Sequence, residues 1–356
     1  MAAWLLASAL VYSTIAIAKA DHAAIAKQSL EQYIRPGYAQ LAKSSKALNQ
    51  SVAALCRTPS EAALKDTKEA FTAAVEAWSL VEPIRFGPVS EQHRYERIFY
   101  WPDPKGLGTR QMREALGKQD QSVTEAASLS TKSVALQGLP ALEYLLYVDD
   151  AAALAKDGGE GTFRCRFAET IAANVAGMAK DIAAGWQDGA PYTKAYLQPS
   201  PANSAYHNSK EVTLELFKTF ATGIETVRDQ KMAKALGANS EQARPQLAPF
   251  WRSGLSFSNM ADNLQSVREL FAKGGFEQVV HDDSPGVEDS IVFDFNHAID
   301  VLRGIDRPIA EAVHNEDLRA KLEALRVSLK SAATTAGDII SRGAGLTFGF
   351  NAMDGD

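Results

Sequence analysis

Helical periodicity constrains this chain more tightly than any other feature. Phe163, Phe167, Ile171, Val175, Met178, Ile182 and Trp186 fall three or four residues apart. That spacing puts all of them on one face of an α-helix. The pattern recurs. Leu64, Phe71, Val75, Trp78 and Val81 line a second face, and Val212, Leu216, Phe220, Ile224 and Val227 a third. Val287, Ile291, Phe295, Ile299 and Leu302 make a fourth, and Leu318, Leu322, Leu325 and Leu329 a fifth. Each such face must be buried against another helix, so the expected fold class is all-α.

Residues 21–55 are Ala-rich and helix-prone, with Pro36-Gly37 as a break or kink. Thr58-Pro59-Ser60-Glu61 signals a helix start. Shorter helical pieces are expected near 111–116 and 122–127, and Asp149-Asp150 and Asp157-Gly158-Gly159 mark turns. The stretch 187–205 is rich in Pro, Gly, Ser and Asn and carries no stripe. Four main helices precede it and four follow it. The 356 residues also exceed what one core usually serves. The expectation is two tandem four-helix-bundle-like domains with long irregular loops, 21–195 and 196–356. Two segments resist the helical pattern. One is 82–108, with Pro83, Gly87-Pro88 and Trp101-Pro102-Asp103-Pro104; the other runs from Arg244-Pro245 to Phe250-Trp251-Arg252-Ser253-Gly254. Irregular stretches this long are usually functional or tightly packed.

The first twenty residues read as a signal peptide. Residues 4–18 are nearly all apolar or small, Ala18-Lys19-Ala20 is an A-x-A cleavage site, and polar Asp21-His22 follow. The usual basic start is missing. Cleavage after Ala20 is expected rather than an uncleaved anchor, and no later segment is apolar enough to span a bilayer. Net charge is −6, so no basic surplus exists to neutralise phosphates, and nucleic-acid binding is disfavoured. Cys56 and Cys165 are the two cysteines. In an oxidising compartment a lone pair usually bonds, which would join the end of one helix to the start of another. Closing a loop of about 100 residues would stabilise by roughly 4 kcal/mol in the chain-entropy picture. Two buried free thiols are the alternative.

The most chemically suggestive stretch is Gln137-Gly138-Leu139-Pro140-Ala141-Leu142-Glu143-Tyr144. Gly138 permits a tight approach, and Pro140 suits a first helical turn. Leu142, Leu145 and Leu146 offer an apolar side. Glu143 sits near the positive end of the helix dipole, which favours its charged form. The stretch resembles the G-x-H-x-x-E motif of imelysin-like (M75 peptidase-like) proteins, with proline at the histidine position. Trp78…Arg85-Phe86-Gly87-Pro88 and Arg97-Ile98-Phe99-Tyr100-Trp101-Pro102-Asp103 are similar to further signatures of that family. The glycine-rich end, from Gly345 to Asp356, resembles a proline-bearing subgroup. The resemblance implies an exported protein of the periplasm or outer cell envelope with a link to iron uptake. Some members of the family look like peptidases or metal-binding proteins, and others look like non-peptidase relatives.

The residues themselves argue against metallopeptidase chemistry. Histidine and glutamate three apart share a helix face and could give two ligands, but Pro140 has no donor. No H-E-x-x-H occurs, and His22, His93, His207, His281, His297 and His314 are scattered. No catalytic residue and no metal ligand is therefore assigned. Glu143 has three readings: a structural bridge, for instance to Arg85 or Arg97; a ligand or cation contact between the bundles; or a general base. Gly138, Pro140, Glu143, Arg85, Arg97, Asp103, Arg252 and Ser253 form the candidate binding set, because polar loops on a helical scaffold can build a cleft. The plainer reading of the arginines is that they satisfy loop carbonyls and acids. His297, with Asp294 or Asp300 three residues away, fits a surface or capping role better than a metal site. Asp282-Asp283…Glu288-Asp289 reads as a solvated loop without EF-hand spacing. The expected protein is a non-peptidase binding or accessory factor. Its ligand would be a metal ion (iron or another divalent metal), a metal complex or an envelope protein partner. A metal-dependent peptidase and a purely structural envelope protein are the alternatives.

Overall fold

The computed structural model describes residues 20–148, 150–156, 158–283 and 285–346. The expected leader up to residue 19, the tail from Thr347, and Asp149 and Asp157 of the two turn signals lie outside the described residues. Every regular element among the described residues is helical.

Helix α1, His22–Ser29, starts where the Asp21 carboxylate accepts from the Ala23 and Ala24 amides. It runs through one wide π-helical turn, Leu30–Ile34, into α2, Arg35–Arg57. The irregularity falls directly before Pro36-Gly37: Pro36 has no N–H to donate to the preceding turn, and the widened turn ahead of it accommodates the ring. Helix α3, Glu61–Ser79, opens as its start signal predicts: the Ser60 hydroxyl oxygen accepts from the Ala63 amide at 3.1 Å. The loop that follows contains two single 3-10 turns, Gly87–Val89 and Glu91–His93, and one short α-helix, α4, Arg94–Ile98. Helix α5, Leu107–Lys118, is longer than its predicted piece because Asp103 caps it, accepting from the Leu107 and Gly108 amides at 2.7 and 2.8 Å. Helices α6, Ala126–Leu129, and α7, Leu139–Tyr147, lead to α8, Gly159–Gly185.

The long stripe of α8 is buried from Phe163 to Trp186. It packs on α2, which also holds α3. A disulfide between Cys56 and Cys165 joins α2 to α8. The segment expected to be featureless contains a helix, α9, Pro191–Leu197, too short to show a stripe. Tyr196 anchors it: the ring is fully buried against Trp186 and Phe86, and the hydroxyl bonds Ser29 at 2.8 Å.

Helix α10, Ser209–Glu225, passes through a second wide turn, Thr226–Met232, into α11, Ala233–Leu236. Then come α12, Ser256–Lys273; α13, Phe276–Asp283; α14, Val287–Arg303; α15, Ile309–Ala312; and α16, Glu316–Gly343. Helix α12 packs on α10 and α14, and α14 on α16. Helix α13 was not expected; Phe276 and Val280 bury it against α16. The acidic run expected to be a loop is instead two helix ends. Asp282-Asp283 close α13, and Glu288-Asp289 open α14, where negative charge complements the helix dipole. The two halves of the chain interlock, with α1 against α10 and α3 against α12.

Candidate functional site

The approach to α7 fixes the first part of the site. A Cβ at Gly138 would lie 2.2 Å from the Ile98 carbonyl oxygen and 2.5 Å from that of Arg97. Only glycine allows so close a backbone approach. Pro140 takes the first turn. Leu142, Leu145 and Leu146 are fully buried, and Glu143 is carried inside with them, 1% exposed.

There Glu143 meets a loop from the other half of the chain. Its Oε1 accepts from the Ser253 amide at 2.9 Å and from the Ser253 hydroxyl at 2.7 Å. Its Oε2 lies 3.9 Å from an Arg252 guanidinium nitrogen. Phe250 sets the shape of that loop. Its φ of 51° is left-handed, which a bulky residue adopts only when its surroundings compel it. The ring is buried, stacked on Phe99 at 5.2 Å and edge-on to Phe71 at 6.3 Å. Packing thus turns Arg252 and Ser253 toward α7. Contrary to the expectation from the sequence, Glu143 is the fifth of the nine residues of α7 and lies beyond its first turn, so the helix start does little for its charge. Loss of solvent raises the carboxyl pKa above its ordinary value, against the opposing pull of Ser253 and Arg252.

Beside this contact lies a cleft of about 900 Å³ between the halves. Tyr100, Trp101, Thr109, Pro140 and Tyr144 line it from the first half and Trp251 and Arg252 from the second. Two bonds tie the sides together. The Trp101 indole N–H donates to the Leu247 carbonyl at 2.9 Å, and Arg252 donates to the Thr109 hydroxyl at 2.6 Å. Glu143, Ser253 and Gly138 stand behind this wall. Asp103 lines the cleft, yet both its oxygens are engaged in capping α5.

Arg85 and Arg97 lie away from the cleft and are not the partners of Glu143. Arg97 donates to Gln137 at 2.8 Å and to Asn174 at 3.1 Å, inside the first half. Arg85 is exposed, with its guanidinium 5.1 Å from the Tyr95 ring centre. Asp294, His297 and Asp300 are all exposed on α14.

The sequence and this architecture match known proteins. The family model described as Imelysin matches residues 34–336. The chain belongs to the imelysin family. Iron-regulated protein A of Synechococcus elongatus is 20% identical over 292 residues, covering 79% of this chain and 75% of that protein. Two crystal structures share the fold. An imelysin-like protein from Psychrobacter arcticum 273-4 superposes with a TM-score of 0.75 at 17% identity, over 92% of this chain and 97% of that one. A chain described as an iron-regulated protein A precursor, from Parabacteroides distasonis ATCC 8503, gives 0.75 at 13% identity, over 90% and 94%.

The donors at the motif of this imelysin-family chain do not fit a bare metal ion. Pro140 has no side-chain donor, Glu143 Oε1 already accepts two hydrogen bonds, and the guanidinium near Oε2 repels a cation. Among the described residues, no three His, Cys, Asp or Glu side chains are grouped to hold a metal.

Sequence reasoning missed a second polar centre. Lys231, fully buried, donates to Glu82 at 2.6 Å and to Asn259 at 2.6 Å, and also to Asn263. The two asparagine amides donate in turn to Glu82 and to Ser79. The rings of Phe99 and Trp101 lie 5.7 and 5.4 Å from the ammonium. Burial pulls the Lys231 pKa down while Glu82 pulls it up. The signal was a lysine on the wide turn at Thr226–Met232, in register with the apolar stripe of α10 rather than its polar face. π-helical turns of this kind often re-aim one side chain.

Proposed function

We propose that this chain is an exported binding or accessory protein of the periplasm or outer cell envelope, linked to iron uptake and without peptidase activity. It would be made with a leader ending at Ala20, followed by two helical units, 21–195 and 196–356. The ligand site is the cleft between the two halves. Pro140, Asp103 and Arg252 contribute to its wall, and Gly138, Glu143 and Ser253 hold that wall in place. Arg85 and Arg97 act as structural neighbours.

One observation carries the reading: the walls of a cleft of about 900 Å³ come from both halves of the chain, pinned by Glu143. That volume suits a small molecule. The iron link is supported by relatives named as iron-regulated proteins in Synechococcus and Parabacteroides. The non-peptidase reading is supported by Pro140 at the motif's histidine position and by the engagement of Glu143 with Ser253.

Equilibrium dialysis of the purified protein against radioactive iron, as ferrous ion and as ferric citrate, tests the reading, alongside a protein-cleavage assay. One bound iron per chain from ferric citrate and no cleavage are expected. Glu143→Ala should weaken binding about tenfold, equivalent to about 1.4 kcal/mol, by releasing the loop; Glu143→Gln, which keeps an acceptor for Ser253, should weaken it less. Cleavage that a chelator and Glu143→Ala both abolish would instead establish a metal-dependent peptidase.

A further inference from the structure

The charge of the cleft is opposite to that of the chain. The whole sequence carries a net −6. The cleft, by contrast, is lined by Arg110 and Arg113 of α5, by Arg244 and by Arg252, with Asp103 as its one acidic lining residue among those described. Asp103 accepts a backbone amide at each oxygen, which ties it to the start of α5, and four guanidinium groups outnumber its single charge. Glu114, on the same helix as Arg110 and Arg113, pairs with Lys118 at 2.6 Å. Glu143 stands behind the wall, and burial disfavours its charge. A metal cation entering here would meet four guanidinium groups and one carboxylate already bonded to two amides.

Arg252 is the most organised of the four. Its guanidinium lies 4.6 Å from the Trp251 ring centre and 5.4 Å from that of Tyr144, and it donates to Thr109 at 2.6 Å. The carboxylate of Glu143, at 3.9 Å, is beyond hydrogen-bond reach. A guanidinium fork offers five N–H donors in a plane and matches carboxylate or phosphate oxygens two at a time. Partial burial lowers the Arg252 pKa, as expected of a cation kept from water without a full counter-charge. Arg110, Arg113 and Arg244 are exposed around it, where charge acts on encounter and on ligands that are themselves charged.

We infer that the cleft takes its ligand as a polyanion, a small molecule carrying two or more carboxylate or phosphate groups, and that a metal enters only inside such an anionic complex. The inference rests on the cleft being the ligand site, as proposed above, and supplies the charge of what it holds. Arg252, braced against Trp251 and Tyr144, grips one anionic group, while Arg110, Arg113 and Arg244 compensate the others.

Titration of the purified protein with citrate, pyrophosphate, ferric citrate, ferrous ion and zinc ion tests this, read by calorimetry and by the fluorescence of Trp101 and Trp251 in the wall. At least one anion should bind saturably and free zinc should not. Citrate without pyrophosphate would identify a carboxylate ligand, and the converse a phosphate ligand. Arg110→Gln with Arg244→Gln, both at exposed positions, should weaken the anion at least tenfold with an unchanged melting temperature. Arg252→Lys keeps the charge but loses the planar fork, and should also weaken it. Binding of free cations but of no anion, or an affinity untouched by the arginine changes, would overturn the inference while leaving an iron-binding role standing. Equal binding of citrate with and without iron would uphold the polyanion and remove the iron reading.

Discussion

Glu143 and Asp262 show how a carboxylate's surroundings overrule its place in the sequence. Glu143 lies mid-way along α7, past the first turn that the sequence placed it near, and burial raises its pKa. Asp262, on α12, is held at 2.9 Å by Arg303 but is itself almost fully buried, and desolvation lifts its pKa from 3.8 to about 6, helped by nearby Glu76. Between those values the folded protein keeps a proton that the unfolded chain has released. The contribution of this group is therefore fully present below about pH 4 and is lost as pH rises towards 6. Asp262→Asn removes that slope. The variant should gain on the parent protein by up to about 2–3 kcal/mol between pH 4 and pH 7. Denaturant midpoints of both proteins across that range check it, and parallel curves would refute it. Neither pKa was legible in the sequence, because burial depends on which residues distant in the chain lie overhead.

At the scale of elements, the long stripes were legible and the short pieces were not. Phe163 to Trp186 repeats often enough to fix both helix and buried face, and all of it is buried in α8. Helices α9 and α13 are seven and eight residues long, so their apolar residues give too few repeats to reveal a period. Asp103 shows the other limit: its capping of α5 is local in sequence, but nothing marked it as a cap rather than a ligand. The disulfide was one of two open readings of Cys56 and Cys165, and it forms between α2 and α8. With a sequence separation of 109 between its cysteines, replacing both by serine should cost about 4–5 kcal/mol on the chain-entropy view. Guanidinium unfolding of the double variant measures this. A loss under about 1 kcal/mol would mean that the helix packing already restricts the unfolded chain.

For the whole molecule, the contact between halves is the decisive feature. The Lys231–Glu82 pair crosses it, fully buried and surrounded by Asn259, Asn263 and Ser79. Such a pair is costly to break from one side, because the remaining charge is left without a partner. Lys231→Met alone should destabilise by about 3–5 kcal/mol, and adding Glu82→Leu should recover most of the loss. A double-mutant cycle from thermal melts provides the comparison; simple additivity would show that the two side chains do not act as a pair. Glu143 with Ser253 makes another crossing, behind the cleft wall. The same interface therefore both holds the halves together and builds the candidate site.

Local periodicity settled the helical class of this chain, most helix starts and the faces to be buried, because each is encoded within a few turns. The motif residues Gly138, Pro140 and Glu143 were likewise visible, together with their likeness to the imelysin family. Only the tertiary structure decided what Glu143 touches, that Arg252 rather than Arg85 or Arg97 stands beside it, and that Lys231 is buried with Glu82. It also gathered Arg110, Arg113, Arg244 and Arg252, up to 142 positions apart in the chain, around one cleft. Such convergence depends on how helices pack across long loops, and no spacing along a single helix carries that information.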